Sequence, residues 1–109
     1  MHIWLDDQHD DPEMPKRWPP PGFMPVKNLA ELKALLESSS EVIEIIDFDH
    51  DLADFDENGR ERDGYMIIKW LADEHLDRYP KEVRVHSRNG PGRENIVKFD
   101  EFVRRRLLH

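Results

Sequence analysis

The sequence predicts a three-layer α/β fold around a short, mostly parallel sheet of about four strands. Two observations lead there. Short apolar runs alternate with segments of helical period, as in chains whose strands are joined by helical crossovers. Each apolar run also ends in polar residues: Asp6-Asp7, Asp49-His50-Asp51 and His86-Ser87-Arg88-Asn89. In parallel sheets, ligands bind beyond the carboxyl ends of the strands, so all three polar groups fall where a site is expected.

The elements are taken in chain order. His2 to Leu5 is a short apolar run that delivers two aspartates, which fits a buried strand. Pro12 to Pro25 holds six of the eight prolines, with Trp18, Gly22 and Phe23 among them, and excludes a regular helix or a central strand. A long ordered loop is expected there, pinned to the core by its aromatic residues. Asn28 and Glu31 form a reciprocal helix cap, and Leu29, Leu32, Leu35 and Leu36 supply a stripe that ends near Ser38. Val42 to Phe48 reads as a strand rich in β-branched residues. Asp63 caps a helix running towards Tyr79, with Ile67, Ile68, Trp70, Leu71 and Leu76 on its buried face and Pro80 as its stop. Glu82 to Val85 is a further short strand. Gly90-Pro91-Gly92 then turns into a last helix with apolar Ile96, Phe99, Val103 and Leu107, and Arg104, Arg105 and Arg106 suit its carboxyl end.

At 109 residues the chain has the length of one ordinary domain, and residues 1–109 are read as a single unit without repeats or linkers. Its net charge of −8 argues against general adhesion to DNA or to an anionic membrane. A phosphate ligand therefore requires local cations or a metal. The absence of cysteine excludes disulfides and thiolate zinc sites and suits a reducing compartment. The opening residues lack the basic and apolar regions of a secretory signal, and no apolar run is long enough to span a bilayer, so a cytoplasmic location is expected.

Three aspartates from two strand ends, Asp6, Asp7 and Asp49, can hold a hard cation such as magnesium or manganese, with water and phosphate oxygens completing its shell. Their alternative is ordinary capping or solvation. His50 and His86 are placed to exchange protons near neutral pH, one taking a proton from water and the other giving one to a leaving oxygen. A histidine that only hydrogen-bonds its neighbours is the competing reading for each. Ser87 and Asn89, followed by Gly90, Gly92 and Arg93 at a helix start, resemble an anion cradle, although Gly-Pro-Gly is also a common turn. Asp54, Asp56, Asn58 and Gly59 open like a calcium loop, but Tyr65 stands where a bidentate glutamate is needed, so an EF-hand is excluded. His2, His9, His75 and His109 have no chemical partners in the pattern.

Leu5-Asp6-Asp7, the Pro-rich stretch with Trp18, Asp47-Phe48-Asp49-His50-Asp51-Leu52, Gly64-Tyr65, and Val85-His86-Ser87-Arg88-Asn89 with Gly92 and Asn95 together resemble the cyclic-phosphate processing receiver-like domains. The resemblance covers nearly the whole chain. It implies a modified response-regulator receiver (flavodoxin-like) fold and a role in processing cyclic phosphates of nucleotides or RNA ends. It places the acidic pocket on Asp6, Asp7, Asp49 and Asp51 and the histidines on His50 and His86, while the cradle residues Ser87, Asn89 and Arg93, with Asn95, are the expected substrate contacts. The sequence departs from the family pattern at Asp47, where a small residue is expected, at Ala53, where glycine is expected, and at Gly90, where proline is expected. Of these, Ala53 is the one expected to matter, through the turn that presents His50.

The function expected is that of a phosphodiesterase-type hydrolase acting on a cyclic phosphate. A phosphorelay receiver is disfavoured, because no lysine follows a fifth strand. A non-catalytic binding or signalling module, using the phosphate pocket or an acidic surface that engages a basic protein partner, is the alternative.

Overall fold

The computed structural model describes residues 1–8, 10–52, 54–87 and 89–107. The expectations placed on His9, Ala53, Arg88 and His109 fall outside the described residues.

Four strands pair in parallel: β1 (His2–Leu5), β2 (Phe23–Val26), β3 (Ile45–Phe48) and β4 (Glu82–Val85), in the spatial order β2-β1-β3-β4. Three helices accompany them: α1 (Leu29–Ser38), α2 (Gly64–Glu74) and α3 (Gly90–Leu107). This is a receiver-like α/β architecture.

Strand parity divides the sheet into two faces. Ile3, Leu5, Val26, Ile46, Phe48, Val83 and Val85 share one face and form a single apolar cluster with Leu32 and Leu36 of α1, Ile67, Ile68 and Leu71 of α2, and Ile96 of α3. All three helices therefore cover one side. Trp4 lies on the other face, buried to 6% exposure, and its indole N–H donates to the Arg17 carbonyl at 2.9 Å. The third layer is the Pro-rich crossover between β1 and β2. Chain handedness explains this: β1 to β2 steps one way along the sheet, while β2 to β3 and β3 to β4 step the other way, so right-handed crossovers lie on opposite faces.

The Pro-rich stretch differs from a continuous loop at two places. Pro15–Arg17 makes a 3-10 turn, and Phe23–Val26 is the edge strand β2, entered through Gly22 at φ 86°. Pro25 is tolerated because an edge strand has one side without a partner strand. Phe23 pins the segment, packing edge-on against Trp4 with 6.2 Å between ring centroids.

The helix signals hold locally. The Asn28 side chain accepts from the Glu31 backbone N–H at 2.9 Å, and the Glu31 carboxylate in turn accepts from the N–H of Lys27 at 2.9 Å. Asp63 caps α2 through the Met66 N–H at 2.8 Å. α2 stops earlier than expected, at Glu74, and after His75 a 3-10 turn over Leu76–Arg78 leads to Pro80. Leu76 is consequently 47% exposed rather than buried, as is Leu107 at 50% near the end of α3. The turn carries Arg78, whose guanidinium donates to the carbonyls of Leu36 at 3.2 Å and Ser39 at 2.8 Å, stabilising the carboxyl end of α1. β3 is shorter than the apolar run, yet buried Ile43 precedes it, held by the N–H of Lys81 at 3.1 Å. Among the described residues, no helix is long and apolar enough to cross a membrane.

Ile46 sits fully buried in central strand β3. Ile46→Ala removes its branched side chain from a close-packed core, and we expect a loss of about 2 to 5 kcal/mol in urea unfolding. A loss below about 1 kcal/mol would contradict this account of the core.

Candidate active site

The two central strands each deliver an aspartate just past the carboxyl end. Asp6 follows β1 and has no exposed surface; Asp49 follows β3 and is 3% exposed. One oxygen each from Asp6, Asp7 and Asp49 lies within 4.8 Å of the others. Into this group reaches Arg17, from the 3-10 turn of the Pro-rich crossover. Its Nε and Nη2 donate to the two oxygens of Asp6, each at 2.9 Å, in a bidentate pair. Nη2 also donates to Asp49 and stands 3.8 Å from Asp7.

His86 completes the cluster from the end of β4. It has the parity of Asp47 and Trp4, so all three stand on the crossover side of the sheet. Its Nδ1 meets Asp47 at 2.7 Å and its Nε2 meets Asp6 at 2.9 Å, while its ring stacks on Trp4 with centroids 3.8 Å apart and planes within 5°. Both ring nitrogens thus face carboxylate acceptors, which requires a proton on each. Burial opposes the positive charge, but the hydrogen bonds to Asp47 and Asp6 outweigh it and push the His86 pKa up to about 9. His86 is an imidazolium at neutral pH.

The acids divide according to what they receive. Burial pushes the Asp6 carboxyl up, yet the bonds from His86, Arg17 and the Gln8 N–H together bring it below the ordinary carboxylate value. Asp49 is raised, by burial first, with Arg17 offsetting only part of it. Asp7 is raised by burial and by the charge of Asp6.

His50 belongs to a second group. Its Nδ1 lies 2.9 Å from Asp51 and its Nε2 3.3 Å from Asp63, the capping residue of α2. Asn89 reaches it at 3.4 Å and also donates to Asp51 at 3.3 Å. The ring packs against the start of α3 so closely that a Cβ on Gly92 would come within 2.4 Å of it. Gly64 is required similarly, since its Cβ would stand 2.3 Å from the Asp49 carbonyl. Asp51 is thereby engaged by His50 and Asn89, apart from the three clustered acids. Among the described residues, His50 and His86 share no hydrogen-bond partner.

The turn before α3 largely satisfies itself. Ser87 Oγ accepts from the Asn89 N–H at 3.1 Å, and Asn89 Oδ1 accepts from the Gly92 N–H at 2.9 Å, so Asn89 acts as the cap of α3. Arg93 and Asn95 are exposed on the first turns of α3. Elsewhere, His2 pairs with Glu44 at 3.1 Å and His75 packs on Trp70 with centroids 4.9 Å apart, both remote from the cluster. Trp18, 46% exposed, donates to the Asp11 carbonyl at 2.7 Å and so fastens the crossover to itself.

A family model described as the cyclic-phosphate processing receiver domain matches residues 1–101. The chain belongs to that family. No curated protein and no solved structure matches it. Within this receiver domain, two residues of the cluster, Arg17 and Asp47, were not among the candidate site residues read from the sequence. Arg17 carried no signal beyond its charge, since nothing in a Pro-rich loop tells which side chain turns inward. Asp47 had one: its parity in β3 places it beside Trp4 and Arg84, on the face from which His86 emerges. The departure at Asp47 is therefore the consequential one among the described residues, for it supplies the second acceptor of His86.

The raised His86 pKa links stability to pH. A pKa above the unfolded value of about 6.5 contributes stability that is complete below that pH and is lost as pH rises to about 9. We expect wild type to lose stability across that window in urea melts. Asp47→Asn, which takes a charge from His86, is expected to flatten the slope. An equal slope in both proteins would contradict the assignment.

Proposed function

We propose that this receiver domain is a phosphodiesterase-type hydrolase that opens a cyclic phosphate of a nucleotide or an RNA end. The observation that carries the reading is charge balance. Asp6, Asp7, Asp47 and Asp49 surround Arg17 and His86, so with every group charged the cluster keeps two negative charges in a setting largely closed to water. Such a cluster repels a phosphodiester until a divalent cation joins it. The donor set fits one: three carboxylates within reach of a single ion, two of them with pKa values raised first by burial and then by the charge of Asp6, both of which a cation offsets. Asp6, Asp7 and Asp49 would hold magnesium or manganese, which when bound supplies Lewis-acid polarisation of phosphate oxygens and acidifies water.

The chain's own residues supply the remaining steps. His86 has no free lone pair as an imidazolium, so it does not serve as the base. It offsets negative charge developing on the phosphate and, exchanging its Nε2 hydrogen bond to Asp6 for one to the departing ribose oxygen, donates that proton to it. His50, whose Nδ1 hydrogen-bonds Asp51 and whose Nε2 stands 3.3 Å from Asp63 without a hydrogen bond to it, takes the proton of the attacking water at Nε2. Asn89 holds His50 and Asp51 in place, and Ser87 after β4 with Arg93 and Asn95, exposed on the first turns of α3, are assigned contacts to substrate oxygens. Asp51 acts with His50 rather than with the cation.

A second reading, a non-catalytic phosphate- or partner-binding module, is favoured by one observation. The acids are already paired with Arg17, and Asp6 has no exposed surface.

Turnover decides between them. The pure protein is incubated with nucleoside 2′,3′-cyclic phosphates, 3′,5′-cyclic nucleotides and RNA ending in a cyclic phosphate, with and without magnesium or manganese. We expect metal-dependent opening of one class, and a His86→Ala protein that folds but loses a factor of about a hundred to ten thousand in rate. Wild-type turnover by folded His86→Ala contradicts the assignment. Binding without turnover of any class selects the second reading.

A further inference from the structure

Among the described residues, Arg17 is the side chain in contact with all three clustered acids. Its guanidinium spans both oxygens of Asp6, bonds Asp49, and lies 3.8 Å from Asp7, so it takes up the oxygens a cation needs. Two buried carboxylates and a partly buried third without a counter-charge are costly, and an intramolecular cation answers that cost before any ligand arrives. The segment that carries Arg17 is lightly tied. Pro12 to Lys16 are exposed, and this part of the crossover is held by local bonds, Met14 N–H to Asp11 O at 3.0 Å, Arg17 N–H to Met14 O at 2.9 Å and the Trp18 indole to Asp11 O at 2.7 Å, with the Trp4 indole on the Arg17 carbonyl tying it to the sheet. An exposed loop with few long-range bonds opens at small free-energy cost.

We infer that Arg17 holds the cation's place on Asp6, Asp7 and Asp49, and that a divalent cation and the Arg17 guanidinium exclude one another there. The inference rests on the reading of these acids as a cation site. Its consequence is an exchange: when a cation takes the acids, Arg17 is released within a side chain's length of them, and a planar guanidinium beside a bound cation is a bidentate donor for phosphate oxygens. Arg17 thus closes the unliganded site and becomes a phosphate contact in the loaded one. Lysine, a point charge without the fork, serves either role less well.

The test uses Mn2+ and methyl phosphate on the full chain. Mn2+ affinity, measured by the electron paramagnetic resonance of the free ion, is compared for wild type, Arg17→Gln and Asp7→Asn. We expect Arg17→Gln to bind Mn2+ at least about tenfold tighter than wild type, Asp7→Asn to bind it more weakly, and Arg17→Gln loaded with Mn2+ to bind methyl phosphate more weakly than loaded wild type. The opposite signs for cation and phosphate separate exchange from simple loss of structure. Hydrogen exchange on wild type gives a readout independent of the variant's folding: Mn2+ should speed exchange at the amides of Met14, Arg17 and Trp18. Equal Mn2+ affinity in wild type and Arg17→Gln, or slower exchange at those amides with Mn2+, overturns the inference and leaves the cation site standing. Folded wild type and Arg17→Gln that both fail to bind Mn2+ overturn the cation site and the inference together.

Discussion

The rest of the site depends on one carboxylate. Asp6 leaves the end of the central strand β1 with no exposed surface, and an ion so placed must be fully satisfied or it costs several kcal/mol. Asp6 meets that requirement with a bidentate arginine on one side, an imidazolium on the other, and the Gln8 N–H at 2.8 Å. Each partner then dictates further structure. Arg17 draws the Pro-rich crossover across the sheet, where Trp4 fixes its carbonyl. His86 needs a second acceptor, which Asp47 provides, and a flat neighbour, which is again Trp4. The third layer of the fold is in this sense organised by charge, whereas the helical layer is organised by apolar burial.

The same parity that separates the layers separates the histidines. His86 emerges on the crossover face, beside Trp4 and Asp47. His50 lies against the first turn of α3 and the cap of α2, where Gly92 leaves room for its ring. Asp6, Asp7 and Asp49 stand at the strand ends that both groups flank. In the proposed hydrolase, a substrate phosphate at the acids would meet the His86 cation from one side and His50 from the other, which is why the two histidines are assigned different tasks.

Much of this was legible in the sequence because it is local. The caps at Asn28 and Asp63 depend on residues three apart, the strands on short apolar runs, and the acids on their position at the ends of those runs. Strand β2 was not legible, since proline in an apolar segment argues for a loop unless the segment is known to be an edge. Leu76 fails for a related reason: the helical period continues past Glu74, but the backbone turns at His75 and aims the side chain outward. Arg17 lies 11 residues from Asp6 across a loop with no period, so only the folded chain shows the pairing. His86 was visible as a residue type but not in its charge state. That state depends on Asp47, 39 residues away, and on the register of the two strands that bring it beside His86.

The central claim is that Asp6 and Asp47 hold His86 as a partly buried cation. Nitrogen-15 correlation spectroscopy of the imidazole rings at about pH 7.5, between the ordinary histidine pKa and the raised one, measures this directly, with His86 assigned by comparison with His86→Gln. The account predicts two protonated nitrogens on His86, both coupled to slowly exchanging protons. A single protonated nitrogen at that pH, giving a neutral ring, would contradict it.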